Sequence, residues 1–139
     1  MEPVFKPMAS AEAWQLSNAP VFSMAVHRAA LDLFDRAGMA ALRAKSEQLT
    51  AHLERLVDHV AQQRGVRLEI ITPRDPAQRG AQLSILAHGL GKDLFERLTT
   101  QGVVLDWREP NVMRMAPVPL YNSFSDVARF GEILQECLA

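Results

Sequence analysis

Arg108-Glu109-Pro110-Asn111-Val112-Met113-Arg114-Met115-Ala116-Pro117-Val118-Pro119-Leu120-Tyr121-Asn122-Ser123-Phe124 passes from a short strand through a double-proline turn into a helix. Successive side chains of a strand point to opposite faces. Met113 and Met115 therefore face one way, and Arg114 faces the other with Val112 and Ala116. An arginine among small and apolar neighbours suits a planar anion such as a carboxylate, which its guanidinium grips with two parallel hydrogen bonds. The competing reading is a surface arginine on an edge strand. Ser123-Phe124-Ser125-Asp126 sets a hydroxyl three residues ahead of an acid, which marks the start of the last helix. That helix turns Val127, Phe130, Leu134 and Cys137 inward.

Working upstream, Val103–Trp107 reads as the hairpin partner of residues 112–116. Residues 92–101 form a short helix with Leu94, Phe95 and Leu98 inward, ended by Gly102. Ala81, Leu83, Ile85 and Ala87 alternate with Gln82 and Ser84, the pattern of a half-buried strand. Arg67–Thr72, rich in Leu and Ile and stopped by Pro73, is another. Before it the period changes to that of helices. A long helix over 39–63 lines Leu42, Leu49, Leu53, Leu56 and Val60 on one face. A first helix over 21–36 carries Ala25, Val26, Ala29, Ala30, Leu33 and Phe34 as its stripe, with Gly38 closing it. Residues 1–20, broken by Pro3, Pro7 and Pro20, form an extended arm whose Val4, Phe5, Met8, Trp14 and Leu16 need something to pack on. The expected architecture is α+β: a mostly antiparallel sheet with helices on one face, preceded by the arm and a long helix.

With 139 residues, 48% hydrophobic and 22% charged, the chain has the composition of an ordinary globular domain. Its net charge of −1 provides no basic field for nucleic acid or anionic lipid. No apolar run reaches the roughly 18 to 20 residues of a membrane span. The start, Met1-Glu2-Pro3-Val4-Phe5-Lys6, lacks the layout of a signal peptide. A cytosolic location, with no nucleic acid and no membrane as partner, is expected. The single cysteine, Cys137, reads as a buried thiol on the last helix.

Most candidates for chemistry have a plain structural reading. His52 and His59 lie seven apart on the long helix, too far to share a metal ion. His88-Gly89-Leu90-Gly91-Lys92 lacks the long loop that cradles a phosphate. Asp32 and Asp35 read as a solvated helix face. Two features stay open. Asn18, just before the first helix, is either its N-cap or an amide aimed at a ligand. Arg74 and Arg79, in the polar loop after Pro73, either face solvent or bind anions.

Three segments taken together carry a resemblance. They are Ala13-Trp14-Gln15-Leu16-Ser17-Asn18-Ala19-Pro20, Ile71-Thr72-Pro73-Arg74-Asp75-Pro76-Ala77-Gln78-Arg79-Gly80-Ala81-Gln82-Leu83-Ser84, and Arg108–Phe124. With Leu42-Arg43-Ala44-Lys45-Ser46 and Leu49-Thr50, the chain resembles the C-terminal part of kynureninase along its whole length. The resemblance implies the small domain of a pyridoxal-phosphate enzyme of the aspartate-aminotransferase fold, one that hydrolyses L-kynurenine to anthranilate and L-alanine in tryptophan catabolism. It implies Arg114 as the grip on the substrate α-carboxylate, and Asn18 as a substrate- and cofactor-pocket amide. Tyr121 and Asn122 are expected to fix the turn behind Arg114.

Departures from the family pattern are Glu12 in place of a frequent glycine, Ala19 in place of proline, Ala81 in place of a frequent cysteine, and Ser125 in place of a frequent histidine. A larger departure concerns the Schiff-base lysine: Lys6, Lys45 and Lys92 all lie outside the family's lysine context. The expected organisation is a connecting arm over 1–20 and a small domain over 21–139, without the large cofactor-binding domain. Such a chain is expected to have no catalytic residue of its own, not to bind pyridoxal phosphate alone, and not to turn over. A homodimer and the small molecule kynurenine are its expected partners. The alternative is a stand-alone dimerisation or regulatory domain.

Overall fold

A computed structural model describes residues 4–15 and 17–139. Met1, Glu2, Pro3 and Leu16, all in the expected arm, lie outside the described residues. The chain divides into two compact units, Met1–Gly38 and Met39–Ala139.

The first unit holds a 3₁₀ turn, Ala11–Trp14, and helix α1, Val21–Ala37. Pro20 stands at the N-cap with φ −75°, close to what a helix start needs. At the other end Gly38 takes φ +79°, a conformation that residues with a Cβ resist, and its N–H closes on the Phe34 carbonyl at 2.8 Å. The expected apolar stripe is present but not covered. No residue of α1 is buried, Phe34 is only half-buried, and Val26 is 74% exposed. A single helix gains most of its stability from a packed face, and among the described residues this face is largely exposed.

In the second unit the core is built by α2 (Met39–Arg64), β1 (Leu68–Ile70), β2 (Leu83–Ala87), α3 (Asp93–Thr100), β3 (Asp106–Arg108), β4 (Val112–Met115) and α4 (Phe124–Cys137). The strands form one antiparallel sheet in the order β1-β2-β4-β3. Leu68, Leu83, Ile85, Ala87, Met113 and Met115 share the buried face, against Leu49, Leu53, Val57, Leu94, Leu98 and Leu134 from the helices. Period-2 alternation thus splits the sheet into a helix-covered face and an open one.

Two strand expectations change. Arg67–Thr72 forms a regular strand only over Leu68–Ile70, with hydrogen bonds to the β2 side continuing from the Ile71 N–H to the Ser84 carbonyl at 2.9 Å and from the His88 N–H to the Arg67 carbonyl at 3.1 Å. Val103–Trp107 pairs only from Asp106 onward: Val103 and Leu105 are half-buried against the core, while Val104 is 99% exposed, so the segment alternates like a strand without a partner for most of its length. The turn from β3 to β4 contains a cis Glu109–Pro110 bond.

The buried seam of α2 runs Leu42, Ser46, Leu49, Leu53, Val57 and Val60, with Thr50 also buried. Leu56, expected at its centre, sits on the flank and reaches towards α4, where a Cβ on Gly131 would meet its Cδ2 at 3.1 Å. Gly131 therefore lets α2 and α4 approach closely. Gly131→Leu is expected to overpack this contact and to cost about 1 to 3 kcal/mol. A lower urea midpoint at unchanged slope checks this.

Candidate functional site

The open face of the sheet is ordered by register. Ser84 lies opposite Arg114, and Arg114 opposite Asp106; one row away, Glu69, Leu86, Val112 and Arg108 align. Arg114 does project away from Met113 and Met115, as alternation requires. Its neighbours, however, include charge as well as the expected apolar groups. Arg114 Nε donates to Asp106 Oδ2 at 2.7 Å, Arg114 Nη2 donates to the same oxygen, and Arg108 Nε lies 3.0 Å from it. The expectation of an arginine set only among small and apolar residues is corrected accordingly. The pair is not buried: the Arg114 side chain is 32% exposed. Asp106 was overlooked in the sequence, although counting four residues outward from Pro110 in each direction reaches both members of the pair.

The hydrogen bond from Arg114, helped by the charges of Arg108 and Arg114, holds the Asp106 carboxyl below its usual range. A lowered folded-state pKa adds stability above the unfolded pKa, and this is lost as pH falls through the folded value. The melting temperature of the wild type is expected to fall below about pH 4 more steeply than that of Asp106→Asn. Parallel profiles for the two proteins would contradict this.

The turn behind Arg114 is tied from several sides. Lys45 Nζ donates to the Pro119 carbonyl at 2.7 Å, and Asn122 Oδ1 accepts from the Val118 N–H at 2.9 Å. Asn122 thus fixes the turn with its side chain, whereas Tyr121 joins only through its main chain and is 73% exposed. The Ser123–Asp126 capping box forms in both directions, at 2.7 and 3.2 Å, and these bonds lower the Asp126 pKa.

The loop arginines are both used internally. Arg74 forks onto Asp58 at 2.7 and 2.9 Å. Arg79, its side chain 3% exposed, pairs with Glu54 and lies 3.4 Å from Thr50 Oγ1. Arg43 donates to the Arg79 carbonyl at 3.0 Å and to that of Pro76. The loop is therefore pinned along α2 by arginines rather than opened to an external anion.

Asn18 is exposed in a bend, and the cap of α1 is Pro20, so its N-cap reading does not hold. His88 Nε2 meets Glu69 at 2.8 Å, His52 lies against the Phe124 ring, and His59 is exposed. Among the described residues no three His, Cys, Asp or Glu side chains gather as a metal site. Among them, too, no helix is long and apolar enough to cross a membrane. Burial raises the Cys137 pKa, as suits an unreactive thiol. A cavity of about 400 Å³ opens between residues 102–105, the 115–117 turn and α4, on the helix side of the sheet; Arg114 does not line it.

The model of the kynureninase C-terminal domain matches residues 42–134, the span from α2 to α4 that carries the sheet and Arg114. This chain belongs to the kynureninase C-terminal domain family. Kynureninase of Xanthomonas euvesicatoria pv. vesicatoria is 57% identical over 135 residues, covering 95% of this chain and 31% of that relative. Kynureninase of Christiangramia forsetii is 48% identical over 136 residues, covering 98% of this chain and 32% of the relative. The chain therefore spans less than a third of the length of these curated relatives. The matched span begins within α2, so the family's shared pattern holds the whole open face on which Arg114 stands.

Proposed function

We propose that the chain is the carboxylate-recognising C-terminal part of a kynureninase, the small domain of an aspartate-aminotransferase fold, acting in hydrolysis of L-kynurenine to anthranilate and L-alanine. The observation that carries this reading is Arg114: a guanidinium on the sheet face opposite α2, α3 and α4, inside the span the family model matches. A charge-assisted fork of this kind orients an α-carboxylate, and with it the bonds at the adjoining carbon. Asn18 is the residue proposed to add an amide hydrogen bond to the substrate and cofactor pocket.

Pyridoxal phosphate, when bound, supplies an electron sink, and enzymes hold it through a lysine with a charged partner for its ring nitrogen. The lysines of the second unit do not make that site. Lys45 is committed to the Pro119 carbonyl, and Lys92 is exposed at the start of α3. The chemistry at the aldehyde is accordingly assigned to residues outside this chain. The 139-residue chain mixed with L-kynurenine and pyridoxal phosphate is expected to release no anthranilate, measured by its fluorescence. Anthranilate above the enzyme-free blank would overturn this.

A second reading, a stand-alone dimerisation domain, is favoured by one observation: Val21, Phe22, Met24 and Val26 of α1 are 54 to 89% exposed. Sedimentation velocity over a range of concentrations tests it, and a monomer throughout would remove it.

A further inference from the structure

We propose that Asp106 is the positioning residue that makes Arg114 a carboxylate receptor: it holds the guanidinium by its side edge and leaves the terminal edge for a second carboxylate. The proposal rests on Arg114 being the carboxylate grip. Both N–H groups that reach Asp106 Oδ2, those of Nε and Nη2, lie along one edge of the planar group. The terminal edge, formed by Nη1 and the second hydrogen of Nη2, has no carboxylate on it, and Nη1 has no partner among the described residues. A guanidinium has five N–H donors in a fixed fork and can serve two carboxylates when each takes its own edge.

Charge supports the same division of labour. Asp106 alone would cancel Arg114 and repel an anionic ligand. Arg108 Nε, at 3.0 Å, reaches the same oxygen from the neighbouring row, so two guanidiniums flank one carboxylate. Anchoring matters because a free arginine spreads over many rotamers that ligand binding must then freeze. Asp106 is short, sits directly across the ladder from Arg114, and is fixed by strand pairing. A cross-strand ion pair this exposed contributes modestly to folding, so its larger effect is expected in recognition.

Nitrogen-15 NMR of arginine side chains in the 139-residue chain reads both halves of the proposal. In the wild type, Arg114 Nε–H is expected to exchange with water more slowly than that of exposed Arg55, and added L-kynurenine is expected to shift the Arg114 signals. Asp106→Ala should speed the exchange and weaken L-kynurenine binding about tenfold. The isosteric Asp106→Asn should shift both in the same direction by less, and Asp106→Glu should restore part of both. Arg114→Lys should abolish binding with the backbone amide spectrum preserved. Wild-type affinity in Asp106→Ala, with binding lost in Arg114→Lys, overturns the positioning role while the carboxylate grip stands. Tighter binding in Asp106→Ala also overturns it, because Asp106 would then compete for the fork. Binding unchanged by Arg114→Lys, or no shift in the wild type, overturns the grip itself.

Discussion

Arg79→Ala is expected to destabilise the second unit by about 3 to 5 kcal/mol, the range for removing one partner of a buried ion pair. The Arg79 side chain is 3% exposed and that of its partner Glu54 is 14% exposed, so truncation strands a carboxylate largely out of water. The loop also loses the donor that reaches Thr50 and the Pro73 carbonyl. The pair is not a net asset merely because it is buried. Arg79 Nε has no hydrogen-bond partner among the described residues, and burial together with nearby Arg43 lowers the Arg79 pKa. Arg79→Met combined with Glu54→Leu, which removes both charges, is therefore expected to recover most of the loss. Arg74→Ala is the contrast. Its pair with Asp58 is about half exposed, and the expected cost is about 0.5 kcal/mol. Urea unfolding of the four proteins decides the matter. An Arg79→Ala protein within about 0.5 kcal/mol of wild type would show that the loop does not depend on this pair.

The second large effect is expected at Arg114. With residues 1–139 grafted in place of the matching segment of the 57%-identical Xanthomonas enzyme, Arg114→Lys should lower kcat/KM for L-kynurenine about 100-fold. That corresponds to about 2.7 kcal/mol at 1.36 kcal/mol per decade. Lysine keeps the charge but not the fork, and two parallel charge-assisted hydrogen bonds become one mobile contact. Fold stability should barely move, since Arg114 is one-third exposed and its strand is held by Met113 and Met115 in the core. A fall in kcat/KM accompanied by a collapse of the melting temperature would instead assign Arg114 a structural task.

How much of this was legible in the sequence depends on how local each feature is. The alternation Met113-Arg114-Met115 fixed the face of Arg114 because the period of a strand is short and strict. The Ser123–Asp126 box fixed the start of α4 for the same reason: its partners lie within one turn. The seam of α2 was read nearly correctly, with Val57 and Leu56 exchanged, because two adjacent apolar residues on a 3.6-residue period differ by only 100°. Val103–Leu105 alternates as a strand does, yet it lacks an edge to pair with, and no local signal carries that information. The stripe of α1 was legible as a pattern, but a pattern does not say what covers it.

At the site, the type and direction of Arg114 were accessible; its partner Asp106 required the hairpin register, set by a turn centred on Pro110. The fates of Arg74 and Arg79 were not accessible, because both depend on residues 16 and 25 positions away on α2. Likewise, Asn18 read equally well as a cap until the helix was seen to begin one residue after Pro20.

The carboxylate grip is tested most directly by a double-mutant cycle in the grafted enzyme. Wild type and Arg114→Ala are each assayed with L-kynurenine and with the analogue that lacks the α-carboxylate. If the guanidinium holds that carboxylate, removing either partner costs nearly as much as removing both, and the coupling is about 2 kcal/mol or more. Additive losses, with coupling near zero, would mean that Arg114 and the carboxylate never meet.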